Sequence, residues 1–435
     1  MARRIDAVAV LGAGVMGSGI ATLCAQAGCR VLLLDVARDA ADQALARMTT
    51  GRAPLLDDPA SAARIATGSF ATDLARIGDH DWICEAVVED LATKRALLAQ
   101  IEPLRRAGSV VSSNTSGIPL RAITDGLPER LKQDIAVTHF FNPVKVMKLV
   151  ELVPGAETRP DVLQTFAAFL AERLGKGVVH AKDTVNFIGN RIGCFWMLAG
   201  LRKAEAALAD GLTMEEIDAL MARPFGIPST GLFGLIDLIG LDVMDLVGSN
   251  LAANLPPGDP GHAYTRLPEA ERAMLERGQL GRKTGGGFYR LLQREDGGRA
   301  KETFDLTTGS WRPSRTVELD ARHQDAASLI FGTDLAGRFA WDLMGGTLGY
   351  AADLIPEIAD DIVNVDRALR WGFNWAKGPF ELLDALGPRR VVERLEAEGQ
   401  PLPRMLQVLR SAGAERFYRE DGRHLGRDAA WHEWS

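Results

Sequence analysis

Few side chains in this sequence can move a proton near neutral pH, because only seven of its 435 residues are histidine. One of them, His139, ends the run Ile135-Ala136-Val137-Thr138-His139. Glu151 follows twelve residues later inside Leu149-Val150-Glu151-Leu152, where an unpartnered carboxylate would be costly. An imidazole whose far nitrogen is held by a carboxylate has a fixed tautomer and a stabilised charged form, which is what a general base requires. By position alone a second arrangement is equally good: His139 caps a strand and Glu151 pairs with Lys145 or Lys148.

The other chemistry-bearing group is Gly12-Ala13-Gly14-Val15-Met16-Gly17, placed between a strand-like run and a helical stretch. Gly12 permits a tight turn, Gly14 lets backbone approach a pyrophosphate, and Gly17 lets the helix sit close to the strand. The helix N-terminus then presents free N–H groups to the phosphates. Asp35 ends the next strand-like run, eighteen residues past Gly17, where a carboxylate accepts from ribose hydroxyls and repels a 2′-phosphate. That selects NAD over NADP, with Arg38 as the one nearby cation arguing otherwise.

These residues need a scaffold of strands that end on one edge. Runs at 7–11, 30–35, 82–85, 109–113, 135–139, 148–153 and 176–180 are apolar or β-branched, as in strands covered on both faces, and helical stretches alternate with most of them. They predict a doubly wound, mostly parallel α/β sheet of the Rossmann type over residues 1–184. From residue 185 to about 290 the texture becomes helical, with a first helix expected from near Asn186. Residues 291–333 are polar and turn-rich, and read as a connector with one hairpin. A second helical domain, 334–435, echoes the first: Asp218 and Asp366 are 148 apart, and the Phe-x-x-x-Asp-x-x-Gly blocks around Asp237 and Asp384 are offset by 147. The fold class is therefore Rossmann α/β followed by an all-α part in which the helical unit is duplicated.

Composition narrows the function. A net charge of −7 argues against a general nucleic-acid binder. The uncharged stretch from Ala7 to Cys29 contains five glycines, which suits a strand-turn-helix and not a membrane span or leader. Four cysteines without a Cys-x-x-Cys pair, and no histidine spaced to join them, predict reduced thiols, no metal site and a cytoplasmic location.

Several blocks together resemble the L-3-hydroxyacyl-CoA dehydrogenase family: Gly12 to Ala21, Glu85-Ala86-Val87-Val88-Glu89, Ser113-Asn114-Thr115-Ser116, and His139-Phe140-Phe141-Asn142-Pro143-Val144 through Glu151. Lys182-Asp183-Thr184 with Asn190-Arg191, and Gly281-Arg282-Lys283-Thr284-Gly285 with Gly287-Phe288-Tyr289, continue the match in order, so that it spans residues 5–290. The resemblance implies that His139 takes the 3-hydroxyl proton of an acyl-CoA substrate while hydride passes to NAD, with Glu151 orienting the imidazole. It implies that Ser116 and Asn190 hold the reacting oxygen, that Asn142 lines the nicotinamide, and that Glu89, Lys94, Asn114 and Lys283 surround the cofactor.

Departures from the family pattern are Gly117 for a second serine, Lys145 for a proline and Val185-Asn186 for Pro-Gly. Lys145 either reaches a coenzyme-A phosphate or solvates a loop. The second helical unit resembles the duplicated C-terminal domain of longer family members fused to an enoyl-CoA hydratase, and the sequence leaves open a stand-alone protein or one associated with such a hydratase. Since the duplicate would stand in for the dimer partner of shorter relatives, a monomer is expected. Two rival readings are a dehydrogenase of a free hydroxy acid or sugar acid, and a non-catalytic NAD-binding relative.

Overall fold

The apolar run Ala7–Leu11 forms β1, every residue of which is buried. In a computed structural model, which describes residues 3–50, 54–293 and 297–434, it lies at the middle of an eight-stranded sheet. The other strands are β2 (Arg30–Asp35), β3 (Ile65–Ser69), β4 (Trp82–Glu85), β5 (Val110–Ser113), β6 (Ile135–Phe140), β7 (Leu149–Pro154) and β8 (Gly177–His180). Their order is β3-β2-β1-β4-β5-β6-β7-β8, and all neighbours run parallel except β6 and β7. The expected doubly wound sheet is thus present, with one additional strand. β3 escapes an apolar-run criterion because Ile65-Ala66-Thr67-Gly68-Ser69 is an edge strand that pairs only with β2.

Strand order reverses between β1 and β4, which sends the crossovers to opposite faces and leaves a crevice outside the carboxyl ends of those strands. The helix Val15–Gln26 packs down from that edge. Under the sheet, Trp82 meets Phe166 and Phe169 edge-on at 5.8 and 5.7 Å, and its Nε1 donates to Ser112 Oγ at 2.9 Å, so the largest core side chain has its polar atom satisfied.

The chain divides into two units, the first ending at Phe187 and the second beginning at Ile188. The helix expected near Asn186 starts at Gly189. Asn186 and Phe187 hold φ of +59° and +50°, outside helical geometry. Asparagine is the non-glycine residue that best tolerates that region, which suits its place where the family pattern has glycine.

The second unit opens with the helices Gly189–Ala209, Met214–Leu220, Gly231–Ile239 and Leu241–Asn254. The stretch read as a connector is a three-stranded antiparallel sheet, Tyr289–Gln293, Arg299–Asp305 and Ser310–Pro313. Its strands are mostly exposed or half-buried, so they lack the continuous apolar runs of β1 and β2.

The sequence repeat corresponds to a repeated hydrogen-bond lock. Asp218 accepts from Phe233 N, Gly234 N and the Tyr289 hydroxyl at 2.7, 3.2 and 2.8 Å. Asp366 accepts from Phe380 N, Glu381 N and the Tyr418 hydroxyl at 2.8, 3.1 and 2.7 Å. Asp237 receives the N–H groups of Phe288 and Tyr289, and Asp384 those of Phe417 and Tyr418. The aspartates therefore fasten a helix start and a distant Phe-Tyr pair, once in each half. Glycine is required where the lock closes, since a Cβ at Gly231 or Gly378 would lie 2.5 or 2.3 Å from the Cα of Asp218 or Asp366.

Candidate active site

The strands β1, β4, β5 and β6 bring their carboxyl ends to one edge, with Leu11 beside Glu85, Glu85 beside Ser113 and Ser113 beside Val137. The glycine turn, the segment after β4, the segment after β5 and His139 therefore share that edge. At the turn Gly12 has φ +110°, and a Cβ there would lie 2.4 Å from Ala86 O. A Cβ on Gly17 would lie 1.8 Å from Gly12 O, whereas nothing stands within 4 Å of one on Gly14. Gly12 and Gly17 thus close the turn, and Gly14 keeps its outer side open.

That open side is a cavity of about 550 Å³ whose lining includes Gly12, Gly14, Asp35, Val36, Ala86 and Val88. Val36 and Val88, 75% and 68% exposed, give that cavity apolar walls. Asp35 reaches over the turn and accepts from Ala13 N at 2.6 Å and Val36 N at 2.7 Å. Arg38 turns to Asp73, its Nη2 lying 3.4 Å from Oδ2, so it is already matched to a carboxylate. The residues present fit a dinucleotide: a glycine cradle, an acid at the second strand end and apolar walls.

His139 and Glu151 face each other directly in the antiparallel β6–β7 ladder. Cross-strand neighbours of that kind bring Cβ atoms to roughly 5 Å, a distance that suits an imidazole and a carboxylate. Nδ1 of His139 lies 2.6 Å from Oε2 of Glu151, and the two residues are 4% and 0% exposed. The rings of Phe141 and Phe187 flank the imidazole with centroids at 4.4 and 5.7 Å. Lys145, one of the two lysines that rivalled His139 for Glu151, instead bonds Asp57 and the carbonyl of Leu55.

A second buried cluster orders the loop after β5. Lys94, 1% exposed, donates to Glu85 Oε1 at 2.8 Å and lies 3.1 Å from Glu89 Oε2. Glu89 Oε1 accepts from Thr115 Oγ1, Ser116 N and Gly117 N at 2.7, 2.8 and 3.1 Å. Burial opposes ionisation of Glu89, but the Lys94 charge and these donors outweigh it and hold the carboxyl below its ordinary range. Asn114 Oδ1 accepts from Phe140 N at 3.0 Å, which ties the same loop to the residue after His139.

Glu85 is the member of this site that sequence reasoning did not single out. It ends an apolar strand, accepts from Ser113 Oγ at 2.5 Å and Val87 N at 2.9 Å, and is fully buried. Its signals were its place at the head of the block Glu85 to Glu89 and an acid in a strand nine residues before a lysine.

Asn142 lines an adjoining cavity of about 240 Å³ that shares Gly14 with the first and includes Val15 and Lys145. Asn190 sits in the first turn of the helix Gly189–Ala209, in the second unit. Lys283 is also in that unit, where its Nζ donates to Asp242 Oδ2 at 2.7 Å. Among the described residues no group of three or more His, Cys, Asp or Glu could hold a metal ion, and no helix is long and apolar enough to cross a membrane.

Comparison with known proteins agrees with this layout. Residues 7–184 match the domain described as 3-hydroxyacyl-CoA dehydrogenase, NAD binding domain, and residues 187–291 match 3-hydroxyacyl-CoA dehydrogenase, C-terminal domain. A probable 3-hydroxyacyl-CoA dehydrogenase of Bacillus subtilis is 36% identical over 97% of this chain. The chain spans only 56% of that relative's length. A 3-hydroxybutyryl-CoA dehydrogenase of Mycobacterium tuberculosis is 33% identical, covering 66% of this chain and 99% of its own. In fold, the crystal structure of 3-hydroxybutyryl-CoA dehydrogenase from Escherichia coli superposes with a TM-score of 0.71 at 24% identity, covering 94% of this chain and 98% of that one.

Proposed function

The chain belongs to the 3-hydroxyacyl-CoA dehydrogenase family, and from that premise we propose that it oxidises an L-3-hydroxyacyl-CoA to the 3-oxoacyl-CoA with NAD, in fatty-acid β-oxidation. The observation that carries the reading is the 2.6 Å contact of His139 Nδ1 with the buried Glu151. Glu151 fixes the tautomer with hydrogen on Nδ1, which leaves Nε2 to accept the proton of the 3-hydroxyl. As the imidazole becomes charged, the carboxylate stabilises it in surroundings that Phe141 and Phe187 keep apolar.

When bound, NAD would supply the acceptor for the hydride leaving C3. Gly12, Gly14 and Gly17 would take its pyrophosphate at the start of the helix Val15–Gln26, with the intervening Ala13, Val15 and Met16 completing the turn. Asp35 would exchange its bonds to Ala13 and Val36 for ribose hydroxyls, and the matched state of Arg38 favours NAD over NADP.

Ser116 is proposed to hold the reacting oxygen. The cluster of Glu89, Lys94 and Asn114 supports this by bracing the loop that presents it. From the second unit, the family resemblance assigns Asn190 to the same oxygen and Lys283 to the cofactor. The test is NADH-linked turnover of acetoacetyl-CoA by the chain and by His139→Ala. The variant is expected to lose turnover by about a hundredfold or more while keeping NADH affinity, and unchanged turnover refutes the assignment. Free 3-hydroxybutyrate and gulonate, assayed in parallel, separate a thioester substrate from a free acid.

A further inference from the structure

The second unit contains a cavity that the proposed reaction leaves unused. It has a volume of about 730 Å³, and its walls include Asp218, Thr230, Asp237, Tyr289 and three cations, Arg282, Lys301 and Arg315. The charges around it do not balance. Glu215 is gripped through both oxygens by Arg312 at 2.7 and 2.8 Å, and Arg290 pairs with Glu302 at 2.7 Å. Asp218 and Asp237 point their oxygens at N–H and O–H donors, and burial pushes their carboxyls up to about 7 and about 6, which weakens them as counter-ions.

Arg282, Lys301 and Arg315 are exposed, and among the described residues none forms an ion pair. Lys301 Nζ lies 3.8 Å from the centroid of the Tyr289 ring, which orients it along this wall. Thr230 Oγ1, in the same wall, is buried without a hydrogen-bond partner. The N–H groups of Phe233 and Gly234 at the adjacent helix start are already bonded to Asp218, so the attraction for an anion comes from the side chains. Leu291, 61% exposed, adds an apolar surface to the same wall.

Three unmatched cations, an unpartnered hydroxyl and an apolar shelf in one open cavity describe a polyanion carrying a ring. We propose that this cavity is a second binding site, for a phosphorylated nucleotide, in which Arg282, Lys301 and Arg315 hold the phosphoryl groups and Leu291 packs on the base. The volume of about 730 Å³ lies in the range of roughly 300 to 1,000 Å³ common to small-molecule pockets. The nucleotide could arrive free or as the adenosine 3′,5′-bisphosphate end of coenzyme A, which share the recognised chemistry.

The test is calorimetric titration of the whole chain with adenosine 3′,5′-bisphosphate, coenzyme A and pyrophosphate, repeated on K301Q/R315Q and on D35A. Both altered cations are exposed, so the double variant should melt as the parent does. Loss of two charge-assisted contacts is expected to weaken the bisphosphate about a hundredfold in the double variant, while D35A binds it unchanged. Equal affinity for the bisphosphate and coenzyme A identifies the nucleotide as the whole recognised unit. Coenzyme A binding at least about tenfold more tightly, and weakened as much by K301Q/R315Q as the bisphosphate is, assigns the site to the carrier. No binding of either, equal binding by the double variant, loss in D35A instead, or pyrophosphate binding as well as the bisphosphate overturns the proposal. The measurement reads binding, so its outcome is independent of whether the chain oxidises hydroxyacyl thioesters.

Discussion

Glu151→Gln tests the proposed base most sharply, because glutamine keeps the shape and one acceptor oxygen while removing the charge. Glu151 is fully buried, and its Oε2 is 2.6 Å from His139 Nδ1. With charge centres roughly 4 Å apart and an effective dielectric constant of about 20, the carboxylate stabilises a full positive charge on the imidazole by about 4 kcal/mol. Roughly half of that charge has developed when the proton is half transferred, so about 2 kcal/mol of transition-state stabilisation is at stake. At about 1.4 kcal/mol per tenfold, kcat for oxidation should fall by about thirtyfold.

NADH affinity, read by fluorescence titration, should stay within about twofold, since Glu151 is bonded to His139 whereas Asp35 is bonded to Ala13 N and Val36 N at the glycine turn. The assay is stopped-flow NADH formation at saturating substrate, which isolates the step from product release. A kcat within about threefold of the parent refutes a charged partner for His139. A fall in NADH affinity as large as the fall in kcat refutes the separation of the two sites.

Three further outcomes follow from the geometry. Asp35→Ala should weaken NADH binding by about tenfold to a hundredfold through loss of charge-assisted bonds to ribose, with overall folding retained; fluorescence titration giving equal affinities contradicts the role of Asp35. Gly17→Ala places a Cβ 1.8 Å from Gly12 O and should destabilise the first unit by about 3 kcal/mol or more, read as a lower urea midpoint, and an unaltered midpoint contradicts the close helix–strand approach. Glu271, 1% exposed, is pushed by burial up to about 7 from an ordinary 4.5. Its contribution to stability is therefore full below about pH 4.5 and is lost as pH rises through 7, a loss of about 3 kcal/mol at pH 8. Glu271→Gln escapes that loss, so its stability relative to the parent should rise between pH 5 and pH 8 in urea denaturation; a pH-independent difference sinks the assignment.

Strands with continuous apolar runs could be read from the sequence to the residue, as for β1, β2 and β4, because burial on both faces leaves no other composition open to them. The edge strand β3 was hidden and the small three-stranded sheet from Tyr289 was legible only as one hairpin, since half-exposed strands share their composition with loops. At the site, residue types suggested the His139–Glu151 pair but could not separate it from pairing with a lysine. The antiparallel register decides that, and strand direction depends on the whole sheet. Glu85 was hidden for the same reason: nothing local announces that Lys94 will return to it from the following helix. The repeated aspartates were visible as a repeat, but their backbone-binding role depends on Phe-Tyr pairs at different distances, Tyr289 after Asp237 and Tyr418 after Asp384.

The antiparallel pairing of β6 with β7 also bears on how the chain acquires its site. Gly12 is completed by Ala86, so the cofactor turn cannot form until strands from distant parts of the chain have docked. His139 and Glu151 stand on consecutive strands joined by a short loop, and their meeting requires closure of only that loop. Contacts so local are cheap in chain entropy and can form early in folding. A substitution that delays docking of β1 against β4 would therefore impair the cofactor half of the site while leaving the histidine and its carboxylate free to find one another.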